Sequence, residues 1–261
     1  NITINYQVIM KIQFASDLHL EFRDNSRYLR ERPLEAAGDV LLLAGDIGYL
    51  GDDNYCRHPF WDWAADNYEQ VVCCLGNHEF YKHYDIATLP DGYELEIRPN
   101  VRAYYNKTVN IGNADIFVTT LWSKISLQDA FFTEQCVADF HRILYNGKRL
   151  TFSDFNREHE RCMAFLYAAL QQSRGARKIV LTHHVPSFLM LAPEFKGSAA
   201  NGAFTVELFE FIADSDIDYW IFGHSHRNIE ATIGRTRCVC NQLGYVHSGE
   251  HNSFSHSRVI E

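Results

Sequence analysis

The sequence lacks any continuous apolar segment of the roughly 18–20 residues that a membrane-spanning helix requires. Basic residues are also few: 24 lysines and arginines are set against 33 aspartates and glutamates, for a formal net charge of −9 at pH 7. Because non-specific nucleic-acid binding and membrane binding depend on a basic surface, this charge argues against both. A bound metal ion could still create a local positive centre. We therefore expect no membrane partner, and nucleic acid only as a substrate.

Cysteine is present, but in no disulfide or zinc-binding pattern. The seven cysteines are an odd number, and two of them, Cys73 and Cys74, are adjacent. We interpret all seven as reduced thiols, which favours a reducing, cytoplasmic compartment. The amino terminus lacks the basic and apolar regions of a signal peptide. Met10 would make a natural start just before the first strand, so we interpret residues 1–9 as an extension.

The 261 residues are 46% hydrophobic and show an α/β pattern without a domain boundary, so we expect one domain over 1–261. Short runs rich in β-branched and aromatic residues predict buried strands at 8–14, 40–44, 71–75, 116–121, 179–182 and 219–222. Amphipathic spacing predicts helices at 59–68, 154–172 and 205–214. We expect Ser153 or Asp154 to cap the second helix, Gly175 to end it, and Thr205 to cap the third.

Two later segments are less regular. Short strands at 229–233 and 237–240 predict a hairpin around Gly234, and the His- and Ser-rich tail after it shows little pattern. The segment 122–149 mixes aromatic and basic residues between two predicted strands. It is a candidate cap over a site, or alternatively a surface insertion packed on its own aromatics.

Polar residues that can bind metals follow five predicted strands. The chain leaves these strands with the segments Asp17-Leu18-His19, Gly45-Asp46, Gly76-Asn77-His78-Glu79, His183-His184 and Gly223-His224-Ser225-His226. In open α/β sheets the carboxyl ends of strands form the ligand-binding edge, and glycines there permit sharp turns. One such segment alone is typical of an ordinary turn after a strand. Five of them at one edge indicate a shared ligand, because burying polar groups without partners is costly. Carboxylate, amide and imidazole ligands suit Mn, Fe, Zn, Co or Mg.

These segments, in this order, resemble the calcineurin-like metallophosphoesterases, and the resemblance runs from Asp17 to His226. It implies an α/β fold: a four-layer α/β/β/α sandwich of two packed mixed sheets flanked by helices. It also implies a centre of two divalent or trivalent metal ions that share one carboxylate. The first metal would be held by Asp17, His19, Asp46 and His226. The second would be held by Asp46, Asn77, His183 and His224.

The resemblance further implies catalysis by in-line attack of a metal-bridging hydroxide on phosphorus, with His78 contacting the phosphate and protonating the leaving oxygen. Two divalent ions carry four positive charges, and two aspartates with one hydroxide return three negative charges. The centre therefore keeps about one net positive charge, which attracts a phosphate ester to an acidic protein. Asn77 and His78 are the main substrate-binding candidates, with His184, His141 and Arg142 as weaker ones. We expect Glu79 to brace the turn that contains it.

The function that these observations favour is hydrolysis of a small phosphomonoester or phosphodiester. A protein phosphatase of this family is disfavoured, because Gly45-Asp46 continues as Ile47-Gly48-Tyr49 rather than towards Asp-Arg-Gly. The alternatives are a nuclease acting on DNA or RNA ends, and a non-catalytic relative that keeps the fold as a binding or scaffold protein. No feature of the sequence specifies an oligomeric state.

Overall fold

Two six-stranded sheets form the centre of the fold, in a computed structural model that describes residues 10–260. The expected extension at 1–9, and with it the start of the strand predicted at 8–14, lies outside the described residues. The first sheet has the spatial order β14 (Val259–Ile260), β1 (Ile12–Ala15), β2 (Val40–Ala44), β3 (Gln70–Cys74), β5 (Val101–Tyr105) and β4 (Tyr93–Arg98). The second has the order β12 (Ala231–Ile233), β13 (Thr236–Cys240), β11 (Tyr219–Phe222), β10 (Arg177–Leu181), β7 (Ala114–Val118) and β6 (Lys107–Ile111).

Both sheets are mixed in the same way. The four central strands of each run parallel, and an antiparallel strand pairs with each edge. Because the central strands are parallel, their carboxyl ends lie at one edge of each sheet. This common edge is where the polar segments named above leave the strands.

Helices cover the outer faces of the sheets and connect the strands. They are α1 (Arg23–Glu31), α2 (Phe60–Asn67), α3 (Ala130–Cys136), α4 (Asp139–Arg142), α5 (Phe152–Gln172) and α6 (Phe209–Ala213). A small hairpin pairs β8 (Leu144–Tyr145) with β9 (Lys148–Arg149). Among residues 10–260, no helix combines the length and the apolar character that a membrane crossing needs.

The core is layered by the alternation of side chains along each strand. Leu42 of β2 and Val118 of β7 belong to a buried cluster between the two sheets. Leu41, the neighbour of Leu42, points to the opposite face and packs in a cluster with Trp61 of α2. Trp220 of β11 lies in a third cluster, on the outer face of the second sheet beside α6. Helix, sheet, sheet and helix layers therefore follow one another, and the predicted four-layer α/β/β/α fold is confirmed.

The ends of two predicted helices differ from expectation. The cap of α5 is Thr151 rather than Ser153 or Asp154: its hydroxyl accepts from the backbone of Asp154, whose carboxylate accepts from the Thr151 backbone. The helix ends at Gln172, before Gly175. The third predicted helix begins only at Phe209, because the backbone around Thr205 instead forms a strand-like bridge with residue 185.

The segment 122–149 contains α3, α4 and the β8–β9 hairpin. Its Trp122 and Phe140 are fully buried in the core cluster on the outer face of the first sheet. Leu127 and Phe131, in contrast, are 81% and 79% exposed. The segment is thus anchored through its own aromatic residues and presents an apolar outer surface.

Candidate metal centre

The carboxyl ends of five parallel strands bring the predicted ligands together. Asp17, Asp46 and Asn77 follow strands of the first sheet, and His183 and His224 follow strands of the second. Hydrogen bonds join the two sheets at this edge: His183 Nδ1 lies 2.7 Å from the carbonyl oxygen at residue 44, and the His224 backbone N–H donates to Asp17 Oδ1 at 3.0 Å. The side chains of all five are buried.

Most of the predicted ligands have a left-handed backbone. Positive φ is uncommon outside glycine, although Asp, Asn and His tolerate it better than other residues. The ligand positions concerned are Asp17 (φ 54°), His19 (φ 47°), Asp46 (φ 56°), His224 (φ 74°) and His226 (φ 49°). Such strain concentrates at functional sites, where the surrounding structure must hold it in place.

The three glycines before the ligands serve two different purposes. Gly45 has φ +87° and makes the sharp turn that we expected. Gly76 and Gly223 do not have positive φ and are needed for space. A Cβ at Gly76 would lie 2.3 Å from Asp46 Oδ1, and one at Gly223 would lie 2.6 Å from Asp17 Oδ2. The turn explanation is therefore wrong for these two, because their role is to let two ligand loops approach each other.

The first predicted ligand group is assembled around a small volume. One donor atom from each of its four side chains lies within 4.8 Å of the others. His19 Nε2 is 3.0 Å from His226 Nε2, and His226 Nε2 is 3.3 Å from Asp17 Oδ1. Asp46 completes the group, with Oδ2 3.8 Å from His19 Nε2.

The second group shares Asp46 with the first. Asp46 Oδ1 is 3.3 Å from His183 Nε2, which is itself 3.0 Å from Asn77 Oδ1. The donor atoms of Asp46, His183 and His224 also lie within 4.8 Å of one another. His224 Nε2 faces the carbonyl oxygen of residue 203 at 3.3 Å, which leaves Nδ1 for a metal.

The donors fit a pair of metal ions. Each carboxylate oxygen of Asp46 faces a different group of imidazole, carboxylate and amide donors, as a bridging ligand must. These donor types suit borderline to hard divalent ions. The Nε2 atoms of His19 and His226 lie only 3.0 Å apart, so both rings point their possible ligand atoms at the same small volume.

The electrostatics of the centre separate the histidines into two kinds. Burial opposes charge on His183 and on His226, but Asp46 raises the pKa of His183 to about 9, and Asp17 with Glu250 raises that of His226 to about 10. Burial and the neighbouring charge of His183 lower the pKa of His224 to about 3. Without metal, the first two rings hold protons and His224 is neutral.

Three carboxylates that the sequence interpretation did not include hold the predicted ligands from outside. Glu21 Oε1 accepts from His19 Nδ1 at 3.0 Å, and Glu250 Oε2 accepts from His226 Nδ1 at 2.7 Å. Asp139 Oδ1 accepts from the Asn77 amide at 2.8 Å, which turns the amide oxygen towards His183. Such partners fix the orientation of metal ligands. Only Glu21 had a sequence signal, since it continues the alternate spacing of residues 17 and 19.

Glu79 has the bracing role that we expected. Its carboxylate accepts from the backbone N–H groups of residues 46, 47, 48 and 76, and so ties together two ligand loops. Burial and the charge of Asp46 raise the pKa of Glu79 to about 8.

His78 lies beside both groups without belonging to either. Its Nδ1 is 2.9 Å from Glu21 Oε1, and its Nε2 is 3.9 Å from Asp46 Oδ2. Its ring stacks on Tyr81 with centroids 4.2 Å apart. Burial opposes protonation, but Asp46 and Glu21 raise the pKa of His78 above its ordinary value. The Nε2 edge of the His78 ring therefore faces the centre.

The weaker candidates lie at different distances from this centre. His184 is fully buried, with Nδ1 2.9 Å from Ser123 Oγ and its ring against that of His224. The Arg142 guanidinium lies 5.2 Å from the centroid of the Tyr81 ring, and the same ring stacks on His78. His141, although adjacent to Arg142, faces the carbonyl oxygen of residue 135.

The chain is similar in sequence and in fold to known proteins. The chain is 27% identical to the uncharacterized protein L509 of Acanthamoeba polyphaga mimivirus over 276 residues, which cover 96% of each protein. Its fold is similar to that of the phosphopantetheinyl hydrolase PptH from Mycobacterium tuberculosis, with a TM-score of 0.66 at 16% identity over 96% of this chain and 95% of that one.

The sequence model of the calcineurin-like phosphoesterases matches residues 10–228, a span that includes all seven predicted metal ligands and His78. This match covers most of the chain and confirms the resemblance that the five motifs carry. The chain belongs to the calcineurin-like phosphoesterase family.

Proposed function

We propose that this protein is a metal-dependent phosphohydrolase that cleaves a small phosphomonoester or phosphodiester at a two-metal centre. The observation that carries the proposal is the position of Asp46. Its two oxygens face separate donor groups, 3.8 Å from His19 Nε2 and 3.3 Å from His183 Nε2. Two metal ions bound there would polarise the phosphoryl oxygens and supply hydroxide near neutral pH.

The chain itself would bind and orient the ester. Asp17 and Asp46 are the anionic ligands, and the remaining ligands are Asn77 and imidazoles that are neutral when bound to metal. The centre therefore keeps a net positive charge that attracts a phosphate group. Asn77 is held by Asp139 and by Tyr81, so its amide cannot turn away from the centre. Because these two residues accept from the amide nitrogen, the amide oxygen is the atom that faces the centre, as a metal ligand requires.

His78 would supply the proton for the leaving oxygen. The Glu21 carboxylate holds Nδ1, so the opposite nitrogen, Nε2, is the one that faces the substrate. Asp46 and Glu21 raise the pKa of His78 above its ordinary value, which favours the protonated form that a general acid requires. The complete donor set supports an enzyme over a scaffold protein, because a scaffold has no need of it.

The proposal is tested with metal-free protein reconstituted with Mn, Fe or Zn. Hydrolysis is measured on nitrophenyl phosphate, bis-nitrophenyl phosphate, a cyclic nucleotide, a phosphopantetheinyl ester and single-stranded DNA. We expect turnover of a small ester with two metals per chain, and loss of turnover by orders of magnitude in Asp46→Asn. Asp66→Asn, an exposed change in α2, is the matched control and should behave as the wild type. Full activity in Asp46→Asn, or preferential cleavage of DNA, would reject the proposal.

A further inference from the structure

The segment after β13 brings a tyrosine to the metal centre from outside the residues that the family match covers. Leu243 and Gly244 donate backbone hydrogen bonds to the carbonyl oxygens of residues 16 and 17, and Asn25 donates to the Gly244 carbonyl. Tyr245 follows, and its backbone N–H donates to Glu250 at 2.7 Å. Its position is therefore fixed relative to Asp17 by contacts on both sides.

The Tyr245 ring covers the first ligand group. Its centroid lies 4.7 Å from that of His19 and 4.6 Å from that of His226. The side chain is only partly buried, so it lies between the ligands and the open surface. Its hydroxyl lies 3.3 Å from His78 Nε2. This is longer than a strong hydrogen bond and is easily exchanged for a better acceptor.

Two other tyrosines surround His78, but their hydroxyls have other partners. Tyr81 donates to Asp139 at 2.8 Å, and Tyr49 interacts with Arg142. Tyr245 is the one of the three whose hydroxyl reaches the Nε2 edge of His78. A phenol hydroxyl can donate one hydrogen bond. This donor lies beside the Nε2 edge of His78, and the ring that carries it packs on two predicted metal ligands, His19 and His226.

We propose that Tyr245 is a catalytic residue whose hydroxyl donates a hydrogen bond to a phosphoryl oxygen of the substrate, next to the leaving oxygen that His78 protonates. The proposal rests on the proposed function, since it requires a phosphate at this centre. Adjacent oxygens of one phosphoryl group are close enough together to take both donors. The hydroxyl would then turn from His78 to the phosphate, and the ring would stay packed on His19 and His226.

The test is Tyr245→Phe, which removes the hydroxyl and keeps the ring. The matched control is Tyr28→Phe, which loses a similar hydroxyl–imidazole contact, 3.2 Å from His256 Nε2, away from the centre. We measure kcat/KM on a phosphate ester, the Kd of inorganic phosphate for the metal-loaded protein, the metal content and the Tm. For Tyr245→Phe we expect kcat/KM to fall and the phosphate Kd to rise by about 10- to 100-fold, as for a lost hydrogen bond to a charged group. The metal content and the Tm should be unchanged, and Tyr28→Phe should match the wild type.

The outcomes separate this proposal from the proposed function. An active wild type with unchanged kcat/KM and phosphate Kd in Tyr245→Phe overturns the role of Tyr245 alone. Loss of metal in Tyr245→Phe also overturns it, because the residue would then serve the ligands rather than the substrate. A wild type that hydrolyses no ester but binds phosphate more tightly than Tyr245→Phe rejects the function and supports the contact. A wild type that neither hydrolyses nor binds phosphate rejects both.

Discussion

Metal binding should release one proton at each site, because each ligand group contains one histidine that is protonated in the metal-free protein. His226 in the first group has a pKa of about 10, and His183 in the second has a pKa of about 9. A protonated ring nitrogen cannot bind a metal, so the proton must leave first. His224, with a pKa of about 3, is already neutral and adds no proton.

The size of the effect follows from the distance between these pKa values and the pH. At pH 7, about two units below the pKa of His183, the proton on this ring weakens metal binding at the second site about 100-fold, or about 3 kcal/mol. The same pH lies about three units below the pKa of His226, so the proton on that ring weakens metal binding at the first site about 1,000-fold, or about 4 kcal/mol. Because both pKa values are raised, the metal affinity of each site increases with pH. It levels off above about pH 9 for the second site, which contains His183, and above about pH 10 for the first site, which contains His226.

Isothermal titration calorimetry measures this directly. Mn²⁺ is titrated into metal-free protein at pH 7 in Pipes and in Hepes, whose ionisation enthalpies differ, and the difference in heat gives the protons released. From these two rings we expect about one proton per metal, besides the proton that a water shared by the metals would lose, and an at least tenfold gain in affinity per pH unit between pH 6 and 8. His226→Asn should lower the total release by one proton. Proton release well below one per metal, or affinity that does not change with pH, would refute the reasoning.

Three further changes test other parts of the fold. Gly76→Ala places a Cβ 2.3 Å from Asp46 Oδ1 and 2.6 Å from the Asp46 backbone nitrogen. It should therefore lower the free energy of unfolding in urea by about 1–3 kcal/mol and lower the metal content. In the control Gly51→Ala, the new Cβ has no contact closer than 3.5 Å, and neither quantity should change. Asp139→Ala removes the acceptor that orients the amide ligand, so calorimetry should show weaker binding of one metal and unchanged binding of the other. Thr151→Ala removes the capping box of α5 and should lower the free energy of unfolding in urea by about 1 kcal/mol, with unchanged metal content. A loss of metal as large as that in Gly76→Ala would contradict the separation of this cap from the metal centre.

The strand ends could be predicted from the sequence because two signals coincide there. Buried strands such as Val40–Ala44 are short apolar runs, and the polar residue after each run marks the end of the strand. The order of these segments also carried the family resemblance, and hence the second sheet and the four layers. Strands without this contrast were missed. Tyr93–Arg98, for example, alternates half-buried and exposed residues at a sheet edge, and its sequence contains three charged residues.

The residues around the ligands could not be predicted, because they reach the centre through tertiary contacts alone. Asp139 lies in a four-residue helix of the irregular segment 122–149, and Glu250 lies in the tail that showed little pattern. Neither follows a strand or repeats a spacing. The late start of α6 has the same origin: the backbone near Thr205 pairs with a distant segment, which overrides the local helical pattern.

The two ligand groups are also joined through the backbone, which leads to a last prediction. Asp17 belongs to the first group only, yet both of its carboxylate oxygens accept from the backbone N–H of His224, at 3.0 and 3.2 Å, and His224 belongs to the second group. That backbone has φ 74°, a conformation that costs about 1–2 kcal/mol and needs such support. Asp17→Ala should therefore weaken both metals. His226→Ala, which removes a ligand of the first group without touching the second, should weaken one. Calorimetric titration with Mn²⁺ distinguishes the two variants, and second-site affinity equal to that of the wild type in Asp17→Ala would show that the groups are independent.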